Sequence, residues 1–410
     1  MIDAGAVIGR LRETDARSGG RREAWTEPWA AERERLDAQA RAGGGAVFVQ
    51  RDSFANAWYV LPGETEETVL VGSHCDCVPG GGWLDGILGV HAGLGVLAAI
   101  AAGPTPRRTL AIVDWADEEG TRFGRSLLGS SAATGALTAA ELDGLAAADG
   151  TPAAAIVSAY GFAPSALGHP EPRLRPVVAA VELHIEQGGT LERQGQAVAA
   201  VAGCLGVRRS RITLHGVAGH AGSTPMGLRA DPVRAAAAFI GELFADAQEH
   251  GGLATVGRIE AQPAITTAVP ARCVLDLDLR HEVLGELQAL DARADRLLAR
   301  DRAVGSERAA LYAQDPIEFD PALVAAATAA TAATAATAGT AAIAAPAGEP
   351  IRSGPLHDSA ALAQAGIPTA MLFTSSSGGV SHSRDEDTPE RHLVAGIEAL
   401  YRLVRTLLRD

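Results

Sequence analysis

Histidines and carboxylates recur just beyond apolar runs at four points in this chain. The stretch "SHCDCVPGGGWLDG" (73–86) carries His74, Asp76 and Asp85 behind the apolar Val69–Val71. "ADEEG" (116–120) puts Glu118 and Glu119 after a second apolar run. "ELHIEQG" (182–188) brings His184, and "SSSGGVSHS" (375–383) brings His382. A lone buried histidine is more often a satisfied core residue, but the recurrence argues for a shared site. Three His, one Glu and one shared Asp suit a pair of divalent ions, and this donor set favours zinc. Adjacent acids can divide the work, one binding metal while the other moves a proton. A His-x-Asp pair offers a carboxylate to the imidazole's second N–H, so Asp76 is expected to orient His74. The plainer readings are a helix N-cap for Asp85 and a solvated turn for the acids.

Cys75 and Cys77 belong to the same stretch, but alternation along a strand places them opposite His74 and Asp76. Two Cys at i, i+2 on one face of a strand do not suit a relaxed disulfide. With Cys204 and Cys273 they lack the paired spacing of a structural zinc site, so the four are expected to pack in the core with reduced thiols.

Strands must position these groups. The apolar runs before His74, Glu118, His184 and His382 read as buried strands. In open α/β sheets the carboxyl ends of strands are where sites form. From Arg208 the pattern becomes strand (208–215), helix (231–250), strand (254–260), strand (272–280), helix (282–304) and strand (307–313). This βαββαβ order predicts a ferredoxin-like insert. The fold class expected is α/β: a mixed-sheet domain with an inserted ferredoxin-like domain. Residues 1–206 and 321–410 form the mixed-sheet domain, and 207–320 form the insert. The Ala/Thr tract at 325–348 reads as a return helix followed by a short strand.

Composition narrows the partners. A formal charge of −14 argues against nucleic acid. The sequence holds no lysine, which removes Schiff-base and P-loop lysine chemistry. No membrane span and no secretion signal are read, so a cytoplasmic protein is expected.

These motifs, with "DEEGTRFGRSLLGS", "GHAGSTPMGLRAD", "LDLDLR" and "SGPLHDSAALA", resemble the M20-type metallopeptidase and amidohydrolase group. The branch they look most like is the hydantoinase/carbamoylase amidases, which includes N-carbamoyl-L-amino acid hydrolases, β-ureidopropionases and allantoate amidohydrolases. The resemblance spans residues 72–383 in the family's order. It implies that His74 and His184 take one ion, that Glu119 and His382 take the other, and that Asp85 bridges them. Glu118 would be the general base and then the acid, with Asp76 behind His74. Gln187 would sit near the scissile group, His220 would stabilise the oxyanion, and His357 would line the pocket. Arg280 would clamp a substrate carboxylate. The resemblance also implies that the mixed-sheet domain is a dinuclear metallohydrolase catalytic domain and the insert a lid and dimerisation domain. A homodimer would form through the insert, with domain closure completing the site. The ions would be zinc, with manganese, cobalt or nickel as alternatives.

The chain departs from the family's pattern in places. Thr267, in "ITTAVP", stands where an Asn usually helps to hold the carboxylate, and "SGPLHD" makes one pocket wall bulkier. The function implied is hydrolysis of a linear C–N bond, the N-carbamoyl group of an N-carbamoyl-L-amino acid-like substrate. The alternatives are an allantoate-type amidohydrolase or an N-acyl amidase. A non-catalytic binding protein would have lost Glu118 or a ligand, and neither is lost. An oligomer scaffold is favoured only by the Ala/Thr tract. A two-metal phosphoesterase would need a basic clamp that the sequence does not offer.

Overall fold

The computed structural model describes residues 2–44, 46–337 and 348–409, the side chains of 335–337 excepted. The chain divides into two units, Met1–Gly203 with Glu318–Asp410, and Cys204–Ile317.

Among the described residues the first unit is built on a nine-stranded mixed sheet. At its centre four parallel strands lie in the order Arg108–Trp115, Thr65–His74, Val177–Ile185 and Thr369–Thr374. Strands covered on both faces need apolar side chains throughout, and these four are buried over most of their length. Antiparallel strands extend the sheet, Ala57–Leu61 and Phe48–Arg51 on one side and Val198–Cys204 on the other. Register pairs His74 with Trp115 and His184 with Phe373. The parallel strands therefore end near one level, and the loops that follow them leave from one edge of the sheet.

The helix Ile87–Ala101 is apolar around much of its circumference and packs on the central strands. The helix Ala4–Ser18 lies against it, and Glu390–Leu407 packs beside it on Val177–Ile185 and Thr369–Thr374. Glu390–Leu407 is amphipathic, burying Leu393, Ile397, Leu400, Val404 and Leu407 at helical spacing. Truncating one of these to Ala would cost about 2–5 kcal/mol through lost transfer energy and a residual cavity.

The second unit pairs Gly305–Gln314, Gly206–His215, Arg272–His281 and Leu253–Gln262, in that order, as an antiparallel sheet. The helices Pro232–Glu249 and Leu284–Leu298 cover one face. Alternation in "RCVLDLDLRH" sends Cys273, Leu275, Leu277 and Leu279 into that core. Asp276, Asp278 and Arg280 take the other face. The βαββαβ order matches the sequence reading. One helix stops earlier than expected, at Leu298 rather than residue 304. There the Asp301 side chain accepts the Ala303 N–H and its carbonyl accepts the Val304 N–H, and such a turn competes with further helix.

The Ala/Thr tract begins as the helix Pro321–Thr337. Thr328, Thr331 and Thr334 return their hydroxyls to the carbonyls of Val324, Thr328 and Ala330, so a threonine at every third position fits the helix. The part of the expected strand within 338–347 lies outside the described residues, and Ile351–Ser353 is the strand that follows. Among the described residues no helix is long and apolar enough to cross a membrane.

Candidate metal centre

His74 closes its strand and is almost wholly buried. Its Nδ1 lies 3.1 Å from the backbone carbonyl of Asp76. His184 repeats the arrangement, with Nδ1 2.9 Å from the carbonyl of Ile185. A carbonyl only accepts, so both rings carry a hydrogen on Nδ1, which leaves Nε2 as the nitrogen able to face an ion. The Asp76 carbonyl is thus nearer to His74 Nδ1 than its carboxylate, whose Oδ1 lies 3.7 Å away. The Asp76 carboxylate instead accepts the backbone N–H groups of Glu118 and Glu119, at 3.3 and 3.2 Å.

That contact helps to shape the acidic loop. Asp117 sits at φ 61°, its carboxylate taking the indole N–H of Trp25 at 2.6 Å and the N–H of Gly120 at 3.1 Å. Asp76 and Asp117 thus hold the loop's backbone and leave Glu118 and Glu119 to the site. Glu118 Oε2 lies 3.7 Å from His74 Nε2. Glu119 Oε2 lies 3.4 Å from His382 Nε2. Burial raises both carboxyls well above the usual range, and neighbouring carboxylates add to it: Glu119 acts on Glu118, and Asp85 on Glu119.

Asp85 joins the two sides. Its Oδ1 is 3.2 Å from His184 Nε2 and its Oδ2 is 3.1 Å from His382 Nε2. The next residue, Gly86, has φ +63°, and a Cβ there would lie 2.2 Å from the His74 ring, so only glycine lets Asp85 approach. Burial disfavours the His184 imidazolium, but Asp85 outweighs it and holds the ring at about 9. His74 is driven down to about 4 by burial. Asp85 thus favours positive charge at His184, whereas burial keeps His74 neutral.

Two triads able to hold an ion share that aspartate: His74, Asp85 and His184, and Asp85, Glu119 and His382. Glu119 Oε1 is buried without a hydrogen-bond partner, which fits a cation on that side. A third group, Glu182, His184 and His357, overlaps at His184. The Glu182 oxygens already accept from the Ser73 and Ser359 hydroxyls and the Ser359 N–H, so it forms a supporting layer. His357 packs on His184 with ring centroids 4.4 Å apart.

Gln187 and His382 both adopt the left-handed backbone, φ 57° and 54°, a strain that folded proteins concentrate at functional sites. The Gln187 amide donates to Asp85 Oδ2 at 2.9 Å. Cys75 and Cys77 are buried, and burial raises the first thiol well above its usual value and the second to about 11.

His220, Thr267 and Arg280 lie in the second unit. The Ala221 N–H donates to the Thr267 carbonyl, so His220 and Thr267 are close neighbours. The Gly222 N–H donates to His220 Nδ1 at 3.1 Å, which leaves the neutral ring's hydrogen on Nε2. Arg280 is paired side-on with Asp278. Sequence reading missed Ser381, Glu182 and Glu386 as parts of the site. A serine beside His382 and an acid four residues beyond it were the available signals.

A carboxylate shared between two histidine-bearing clusters, beside a buried glutamate, is a donor set able to hold divalent metal ions. Residues 70–406 match peptidase family M20/M25/M40, and the chain belongs to that family. It is an enzyme of the amidohydrolase class. It is 34% identical to the N-carbamoyl-L-amino acid amidohydrolase of Geobacillus stearothermophilus, across 87% of this chain and 86% of that one. It is 29% identical to the allantoate amidohydrolase of Escherichia coli, across 94% and 92% of the two chains. The crystal structure of a hydantoinase/carbamoylase family amidase from Burkholderia multivorans superposes with a TM-score of 0.89 at 29% identity. That comparison covers 100% of this chain and 98% of the other.

Proposed function

We propose that this protein hydrolyses a linear C–N bond, the N-carbamoyl group of an N-carbamoyl-L-amino acid-like substrate, with two divalent ions per chain. The observation that carries the reading is the Asp85 carboxylate, whose two oxygens address different histidines. His74 and His184 would hold one ion, Glu119 and His382 the other. Three imidazoles with carboxylates favour zinc, and manganese, cobalt or nickel suit the same donors. A pair of divalent ions bound there supplies Lewis acidity, polarising the carbonyl and lowering the pKa of water.

Glu118 takes a proton from the attacking water and passes it to the leaving nitrogen. Water's oxygen bonds to the carbonyl carbon, the C–N bond breaks, and the amine leaves with that proton. The carbamate released decomposes to CO2 and ammonia. His220, with its hydrogen on Nε2, suits oxyanion stabilisation, and Arg280 suits a substrate carboxylate. We assign both roles to the inserted unit, which we read as the lid and the dimerisation surface. Gln187, His357 and Thr267 are assigned to substrate contacts.

Allantoate hydrolysis is the second reading, favoured by the Escherichia coli relative. Ammonia release from N-carbamoyl-L-amino acids, β-ureidopropionate and allantoate tests both. Release from a carbamoyl amino acid, abolished in Glu118→Gln, is the expected result. Release from allantoate alone selects the second reading, and silence across the panel contradicts both.

A further inference from the structure

We infer that Glu386 and Ser381 form a brace that sets the bridging carboxylate of Asp85 and governs the ion on the Glu119–His382 side. The inference rests on the two-metal reading proposed above.

Glu386 is 2% exposed and belongs to none of the three candidate ion clusters among the described residues. Its Oε1 accepts the backbone N–H groups of Leu84 and Asp85, at 2.9 and 3.1 Å. Its Oε2 lies 3.3 Å from Ser381 Oγ, and the same hydroxyl is 3.3 Å from Asp85 Oδ2. Gln187 Nε2 donates to that hydroxyl at 3.1 Å. Glu386 thus grips the Asp85 loop by its backbone, and the single hydrogen of the Ser381 hydroxyl lies between Glu386 Oε2 and Asp85 Oδ2, serving one of them at a time. The loop comes close enough that a Cβ on Gly82 would lie 2.1 Å from Glu386 Oε1.

The brace is one-sided. Ser381 and Gln187 both contact Oδ2, the oxygen that faces His382, whereas Oδ1 faces His184. A hydrogen bond to one oxygen of a carboxylate fixes where that oxygen's lone pairs point, so removing it weakens the ion on that side first. Glu386 and Ser381 are positioning residues: they act through Asp85, and neither is assigned to substrate or ion.

Cobalt(II) titration of the full chain, with chelator competition and proton NMR of the shifted imidazole N–H signals, tests this. Wild type should hold two ions. Ser381→Ala should weaken one ion about 10–100-fold, the range typical of lost outer-shell contacts, and leave the other within about threefold. The ion retained should keep the two N–H signals of His74 and His184. Gly82→Ala, whose methyl displaces Glu386, should reproduce this selective loss, and Glu386→Gln should show a smaller one. Thermal melting separates these effects from misfolding. Equal weakening of both ions, or no change in Ser381→Ala and Gly82→Ala, overturns the brace. A wild type that holds fewer than two ions overturns the two-metal reading and the brace with it.

Discussion

The backbone carbonyl of Asp76 accepts from His74 Nδ1 at 3.1 Å, and the Asp76 carboxylate turns away to the loop that carries Glu118 and Glu119. Asp76→Asn leaves the carbonyl in place and weakens the grip on the loop. Charge-assisted hydrogen bonds contribute about 1.5–3 kcal/mol, so kcat should fall roughly 10–100-fold with the metal content unchanged. Loss of the ion held by His74 would show that the carboxylate orients the ring after all.

Glu118 Oε2 lies 3.7 Å from His74 Nε2. Glu118→Gln keeps its size and removes its basicity. General-base catalysis is worth about 100–10,000-fold, and turnover should drop at least that far while both ions stay bound. Single-turnover kinetics beside metal analysis checks it, and substantial residual turnover would move the proton transfer to another group.

The two cysteines near His74 should be dispensable for chemistry. Cys77 Sγ accepts the Arg22 N–H at 3.2 Å, a contact a serine hydroxyl can also make. Cys75→Ala and Cys77→Ser should therefore retain two ions and most activity, at a stability cost of about 1–2 kcal/mol. Metal loss in both variants would make the thiols part of the centre.

Acid should destabilise the fold through a buried cluster away from the metal centre. His91 lies 3.1 Å from the Thr14 hydroxyl and 3.2 Å from Gln39 Oε1, and the Thr14 hydroxyl donates to Glu32, which Arg17 also holds. Burial pushes His91 from 6.5 down to about 3, so its neutral form contributes fully above 6.5. The unfolded chain binds a proton first as pH falls, so this contribution is lost between 6.5 and about 3, at roughly 1.4 kcal/mol per pH unit. Burial opposes the Glu32 charge, but Thr14 and Arg17 outweigh it and lower its pKa, which adds loss of the same sign. Melting temperatures of wild type and His91→Gln between pH 7 and 5 should converge as pH falls. Parallel lines would remove His91 from the account.

The residues of the candidate ion clusters were legible because they follow apolar runs, and parallel strands bring such positions to one edge. The atom that does the work was not legible. Periodicity places Asp76 on the His74 side, but only the turn after the strand decides that its carbonyl meets the ring. Glu386 was hidden for another reason. "SRDEDT" reads as a solvated charge run, and the N–H of Leu84 that Glu386 accepts lies 302 residues away in sequence. The helix ending at Leu298 escaped because one Asp side chain, Asp301, diverts the backbone where the apolar pattern would continue.

Anomalous scattering from crystals of the zinc-loaded protein tests the central claim most directly. Two peaks flanking Asp85, one beside His74 and His184 and the other beside Glu119 and His382, are the predicted result. A single peak, or ions that leave Asp85 without contact, would contradict it.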